Sequence, residues 1–189
     1  WKQLSDGFEV SSTGLVMTTH SYSLQPVDLL LRYQHATERK PPGGELRANV
    51  LDLEPLMDLA DHLPFEPELR KELDRYALRG NILDVAVKWS GSWPQPAQYS
   101  VKGSFANLGL NAVGRLPGFA GVSGNIDGTE RGGTLYLSSQ KAAVDLPRVF
   151  RDKLAFDALT AQIGWQRNGE QYDLKLNNIA FSNPDFAGS

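Results

Sequence analysis

The residues of this chain that could carry chemistry are few, and their spacing decides each case. Asp58, Asp61 and His62 fall in one stretch of helical period, with Asp58 and His62 a turn apart, as a metal site could use. A metal needs further ligands, and the remaining histidines, His20 and His35, sit in unrelated segments. These groups read as a solvated helix face. Ser138 and Ser139, or Ser11 and Ser12, are the serines to weigh as nucleophiles. None stands in a Gly-x-Ser-x-Gly elbow between strand and helix, and no histidine is locally paired with them. They read as strand serines on a wet face. The stretch Gly121-Val-Ser-Gly-Asn-Ile-Asp-Gly128 has the glycine content of a phosphate loop. It opens no helix and no P-loop lysine follows, so its glycines are expected to mark bulges and tight turns. Asp127, Thr129 and Glu130 offer oxygens to calcium but lack the EF-hand ligand pattern. The chain has no cysteine, which excludes disulfides, thiolate metal sites and thiol nucleophiles. The sequence therefore points to no catalytic, cofactor-binding or metal-binding residue, and the expectation is a protein that is not an enzyme.

The elements come next. The chain has 189 residues, 41% hydrophobic and 22% charged, enough apolar material for one domain or one stretch of a larger repeating architecture. Its net charge is -3, with acids and bases mixed along the chain, so nothing points to nucleic acid or to an anionic membrane surface. No apolar run approaches the ~20 residues of a membrane span. Trp1 is not an initiator methionine, and the last residues, from Asn183 to Ser189, form neither a helix cap nor a polar tail. The reading is a fragment of a longer protein whose targeting signals lie elsewhere.

Most of the sequence alternates with period two, as half-buried strands do. Leu83, Val85, Val87 and Trp89 are apolar with Asp84, Ala86 and Lys88 between them. Tyr99, Val101 and Phe105 continue the pattern, then Val122, Gly124 and Ile126, Leu135 and Leu137, Val144 and Leu146. Leu159, Ala161, Ile163 and Trp165 follow, and then Tyr172, Leu174 and Leu176. Weaker examples stand at Phe8 and Val10, Val27 to Tyr33, and Leu46 to Val50. Leu108 and Leu110, like Ile179 and Phe181, are out of phase with the apolar set before them. A slip of one residue turns a strand over, so each phase change predicts a bulge, and bulged strands predict a curved sheet. Asn168-Gly169, Asp127-Gly128 with Gly132-Gly133, and the polar excursion Gln34 to Gly44 predict hairpin reversals, hence antiparallel pairing.

One interval departs from this. Leu53, Leu56, Met57, Ala60 and Leu63 recur at helical spacing, with Asp52 as N-cap and Pro64 as the stop. A second helix is expected to begin near Pro67, bury Leu69, Leu73 and Tyr76, and end near Gly80. A helix is ~10 Å across and strands are ~4.8 Å apart, so two short helices shield about four strands. The surplus apolar face has three outlets: closure into a sandwich or barrel, the missing remainder of the protein, or an apolar ligand. The aromatics Trp89, Tyr99, Phe105, Phe156, Trp165 and Tyr172 suit either a core or a groove lining.

Certain stretches also resemble a known family. Gly114-Arg-Leu-Pro-Gly-Phe-Ala-Gly-Val-Ser-Gly-Asn-Ile-Asp-Gly128, Gly132-Gly-Thr-Leu-Tyr-Leu137 and Val144-Asp-Leu-Pro-Arg-Val-Phe-Arg151 resemble the YhdP branch of the AsmA-like family. That branch carries "PGF-x-G-x-x-G-x-I", then "GG-x-L-x-L", then "DLP-x-VF". Leu78 to Asp84, Tyr99 to Leu110 and Leu159 to Trp165 are similar to it as well. The matching pieces run in order from Leu53 to Phe181, while residues 1–50 match loosely. The resemblance implies a long β-groove in the Gram-negative envelope, anchored in the inner membrane by an N-terminal helix. Such a groove crosses the periplasm and is proposed to conduct phospholipid to the outer membrane.

The expected architecture is mainly β: a long curved antiparallel sheet, taco-like, with a short two-helix insert. N-terminal strands occupy residues 1–52, the insert 53–79 and further antiparallel strands 80–189. The apolar face expected to touch phospholipid or acyl chains comprises Leu83, Val85, Val87, Trp89, Tyr99, Val101, Phe105, Ile126, Leu135, Leu137, Ile163, Trp165, Leu174 and Leu176. Expected partners are those chains and the remainder of the protein's own chain. The alternative is a closed β-sandwich that acts as an envelope scaffold or docks a partner without binding lipid.

Overall fold

Each strand pairs with the strand that follows it in sequence. In the computed structural model of the protein, residues 1–16, 25–38, 40–60, 71, 74–92, 95–114, 116–183 and 187–188 are described. The strands are β1 (Lys2–Leu4), β2 (Gly7–Leu15), β3 (Val27–Gln34), β4 (Gly43–Asp52) and β5 (Arg79–Ser90). They continue as β6 (Gln98–Leu110), β7 (Gly118–Thr129), β8 (Gly132–Asp145), β9 (Leu154–Asn168), β10 (Gln171–Ser182) and β11 (Ala187–Gly188). They form one open, curved, 11-stranded sheet in the order β1 to β11, antiparallel throughout. Such a meander follows from the short polar reversals, since a connection of a few residues can only return the chain antiparallel.

The reversals use the turn residues in the expected places, with one shift. Asn168 pairs with Gln171 as the last residue of β9, so the two-residue turn is Gly169-Glu170 instead of Asn168-Gly169. Gly169 takes φ of +67°, and a glycine first in a two-residue turn is the requirement of the type II′ hairpin. Thr129 and Gly132 close the β7–β8 reversal. The Gln34–Gly44 excursion is a hairpin loop pinned by the pairing of Thr37 with Lys40.

The helix α1 (Leu53–Ala60) follows β4 directly and packs against β5 and β4. Two adjacent strands are what one helix can shield. Leu63, Pro64, Pro67, Leu69 and Leu73 lie outside the described residues. Helical backbone is described again at residues 71 and 74–76, and it ends at Tyr76, earlier than Gly80. Ala77 takes the left-handed conformation there (φ +44°), which turns the chain out of the helix in time for β5 to begin at Arg79.

The phase changes are resolved as predicted, by single residues in the left-handed region. Asn107 (φ +54°) stands between Phe105 and Leu108, where the register with β7 shifts. Asn178 (φ +50°) stands between Leu176 and Ile179, where the register with β9 shifts. Asp84, Lys141 and Gly121 have the same conformation in β5, β8 and β7. Each bulge restarts the alternation without turning the apolar set over. Phe156 and Phe181 report this directly. Phe181 lies opposite Leu159, and Phe156, an odd number of residues from Leu159, still meets the Phe181 ring edge-on at 6.0 Å.

At the bulges, side chains replace the interrupted ladder. The Asn107 N–H donates to Ser123 Oγ at 2.9 Å, and the Ser123 N–H donates to Ser139 Oγ at 3.0 Å. The Ser139 hydroxyl donates to the Ser123 carbonyl at 3.3 Å. On the N-terminal strands the Gly14 N–H donates to Asp28 Oδ1 and the Asp28 N–H to Asn49 Oδ1, at 2.7 and 2.9 Å. Ser139 is thus not a wet-face serine, since it is only 1% exposed. Ser139→Ala is expected to lower stability by about 1–3 kcal/mol, because it strands a backbone donor and acceptor pair in a dry bulge. Ser138→Ala, on the exposed side, should stay within about 0.5 kcal/mol. Urea unfolding of the two variants measures the difference.

Candidate functional site

Cross-strand partners share a face, so the register alone assembles the surface. One row runs Leu31, Leu46, Val87, Val101, Gly128, Gly133, Trp165, Leu174 from β3 to β10. Beside it, Ile126, Leu135, Ile163 and Leu176 line up across β7 to β10, and Leu29, Ala48 and Val85 across β3 to β5. A third row joins Ile82, Phe105, Gly124, Leu137 and Ala161, and a fourth joins Phe8, Tyr33, Gly44, Trp89 and Tyr99. Thirteen of the fourteen residues expected on the apolar face fall in these rows, and Leu83 does not. That residue lies beyond the bulge at Asp84, where it pairs with the buried Val50 on β4 and with Ser104 on β6. Ile82 takes its place beside Phe105.

The face is apolar, and among the described residues no second sheet lies against it. Among the described residues only Ala48, Val50, Val85 and Ala142 are buried hydrophobics. Val87, Val101, Ile126, Leu135 and Ile163 are half-buried, and Leu174 and Leu176 on β10 are 70% and 61% exposed. A closed sandwich would have buried these side chains against a second sheet, whereas the strands here form a single open sheet.

Glycines shape the floor of this face. A Cβ on Gly44 would lie 2.3 Å from Trp89 Cζ2, and one on Gly128 or Gly133 would lie 2.4 or 2.5 Å from Trp165 Cζ2. Each indole therefore lies flat across the neighbouring strand, over a position where only hydrogen fits. Sequence reasoning missed this role and read such glycines as turn and bulge markers. The available signal was register: Gly44 stands opposite Trp89, and Gly133 opposite Trp165.

The other face is polar and ion-paired. Arg32 bonds Glu9 through Nε at 2.8 Å, and this carboxylate raises the arginine's pKa above its ordinary value. Glu45 receives Arg47 and Lys88, and Lys102 meets Asp127 at 3.2 Å. These pairs are solvent-exposed, so they keep the face wet more than they stabilise the fold.

The candidate chemical groups are engaged in structure or stand apart. Asp58 is exposed on α1, while Asp61, His62 and His20 lie outside the described residues. His35 packs edge-on against Tyr33 at 5.2 Å. Ser11 is exposed and Ser12 reaches the Val27 carbonyl at 3.4 Å. The Gly121–Gly128 stretch lies within β7 instead of opening a helix. Glu130 accepts the Tyr99 N–H at 3.1 Å, which ties the β7–β8 reversal to β6, and Thr129 Oγ1 accepts the Arg131 N–H at 3.2 Å within that reversal. Among the described residues no group of three or more His, Asp or Glu is placed to hold a metal ion, and no helix is long and apolar enough to cross a membrane.

The comparisons with known proteins agree with the motifs. A family model described as YhdP protein matches residues 1–189. No curated protein and no solved structure matches the chain.

Proposed function

The chain belongs to the YhdP family, and on that premise we propose that its apolar sheet face holds lipid acyl chains. The protein acts as a non-enzymatic segment of a hydrophobic groove on the periplasmic side of an inner-membrane-anchored protein. The groove conducts phospholipid between the inner and outer membranes. The observation that carries the reading is that an apolar face, with no second sheet against it among the described residues, backs onto an ion-paired polar one, row upon row across the sheet. Acyl chains present area and dispersion contacts without directional bonds. Half-buried Val, Leu, Ile and Trp side chains over glycines offer the matching surface, and no chemistry on the lipid is required.

Native mass spectrometry of the purified chain tests this. Phospholipid adducts are expected at masses that shift with the lipid composition of the host cell, with little preference among headgroups. A protein that carries no lipid under conditions preserving the fold would leave the scaffold reading, in which the sheet docks an envelope partner without binding lipid.

A further inference from the structure

Where β5 begins, the side chain laid across a glycine is a cation. A Cβ on Gly109 would lie 2.9 Å from Arg79 Nε and 3.3 Å from its Cγ, so Arg79 crosses from β5 onto the buried Gly109 of β6. Its Nη2 donates to Asn111 Oδ1 at 3.4 Å, the one side-chain acceptor it has among the described residues. The guanidinium is held in place with most of its donors unused. It lines a cavity of about 190 Å³ among the ends of β5 to β9. Lys153 lines the same cavity, 3.7 Å from its counter-ion Asp145, so two cations stand there against one carboxylate. Ala120 and Ala143 fill little of the space. Leu110 and Phe119 also border it, and they stand opposite one another in a half-buried apolar row that continues through Val144 and Leu154. One cavity thus joins a positioned guanidinium to an apolar row, which suits an amphiphile with an anionic head.

We propose that this cavity receives the phosphate of a phospholipid whose acyl chains lie on the apolar row beside it, an inference that rests on the acyl-chain reading above. The planar guanidinium can bond two phosphate oxygens at once, and bonds between charged groups are the strong kind. Lys153 supplies a second positive charge, which Asp145 offsets in part. Gly109 acts as a positioning residue, because any side chain there would displace Arg79. Since every phospholipid carries this phosphate, the site fixes where the head lies along the strands without choosing among headgroups.

Isothermal titration of the whole chain with short-chain phosphatidylglycerol, with the diacylglycerol of the same chains and with glycerol phosphate tests the proposal. Phosphatidylglycerol is expected to bind most tightly, and Arg79→Gln should weaken it by about tenfold or more. Asp145→Asn should tighten it by about two- to fivefold, since it removes a like charge beside the phosphate. Gly109→Ala should weaken it about as much as Arg79→Gln, yet add nothing in the Arg79→Gln background, because it acts only through the guanidinium. Diacylglycerol binding should be the same in all variants, which a loss of folding could not produce. Phosphatidylglycerol binding indifferent to all three substitutions would overturn the proposal and leave the acyl-chain reading standing. Glycerol phosphate bound as tightly as phosphatidylglycerol would overturn it too, since the cavity would then take a soluble phosphate ester. Failure of both lipids to bind would remove the acyl-chain reading and the proposal with it.

Discussion

Val87→Asp, Val101→Asp and Ile163→Asp should each yield a soluble, β-structured protein that no longer retains lipid. The three sites lie on β5, β6 and β9, with Val87 and Val101 in one apolar row and Ile163 in the row beside it. Each side chain is half-buried, so a carboxylate placed there keeps much of its water in the absence of lipid. The stability loss is then about 1–2 kcal/mol, the ordinary range for an unfavourable substitution. In a closed core the same change would leave an unpaired buried charge and cost several kcal/mol. For an acyl chain the difference is large, because a carboxylate in the trough must either be desolvated by the lipid or hold it away. Lys88→Asp and Lys102→Asp are the controls. Both lysines are mostly exposed on the opposite face, where they pair with Glu45 and Asp127, and their reversal should leave lipid retention unchanged. Lipid extraction from the five purified variants, with circular dichroism to monitor the fold, reads the result. Unfolding of all three apolar-face variants, with a wild type free of lipid, would favour the scaffold.

Much of this arrangement was legible because period and phase are local properties of a strand. The alternation of Val85, Val87 and Trp89, or of Leu135 and Leu137, assigns side chains to faces without knowledge of the neighbours. The phase slips at Asn107 and Asn178 were visible for the same reason. Other features depend on which strand lies alongside, and that information is nonlocal. Leu83 continues the alternation in sequence, but the bulge at the left-handed Asp84 shifts its register with β6 and sets it opposite Ser104. Nothing in Ser138-Ser139 distinguishes the exposed serine from the buried one until Ser123 is placed beside them. The short strands β1 and β11 have too few residues to establish a period at all. The glycines under Trp89 and Trp165 required the register.

The glycine floor carries the largest expected stability effect, and two of its positions should respond to rescue in opposite ways. At Gly124 a Cβ would stand 2.0 Å from the Tyr136 carbonyl oxygen, and the Phe105 ring lies 3.0 Å away. The obstacle is chiefly backbone, so Gly124→Ala must push β7 and β8 apart and is expected to cost about 3 kcal/mol or more. At Gly128 the severe contact is with Trp165 Cζ2 at 2.4 Å, and the nearest backbone atom, the Gly132 oxygen, is at an ordinary 3.5 Å. Gly128→Ala is therefore destabilising only while the indole lies across it. In a Trp165→Leu background Gly128→Ala should become nearly neutral, a coupling of about 1–3 kcal/mol between residues in contact. In a Phe105→Leu background Gly124→Ala should remain as destabilising as before, since the carbonyl has not moved. Gly164→Ala supplies the reference. Its Cβ would find nothing nearer than 3.9 Å, and the loss of chain freedom in the unfolded state should stabilise the protein by about 0.4–1 kcal/mol. Chemical denaturation of the two double-mutant cycles separates these outcomes. If Gly128→Ala proved equally harmful with and without the indole, Trp165 would not lie across β7, and the flat floor of the apolar face would have to be given up.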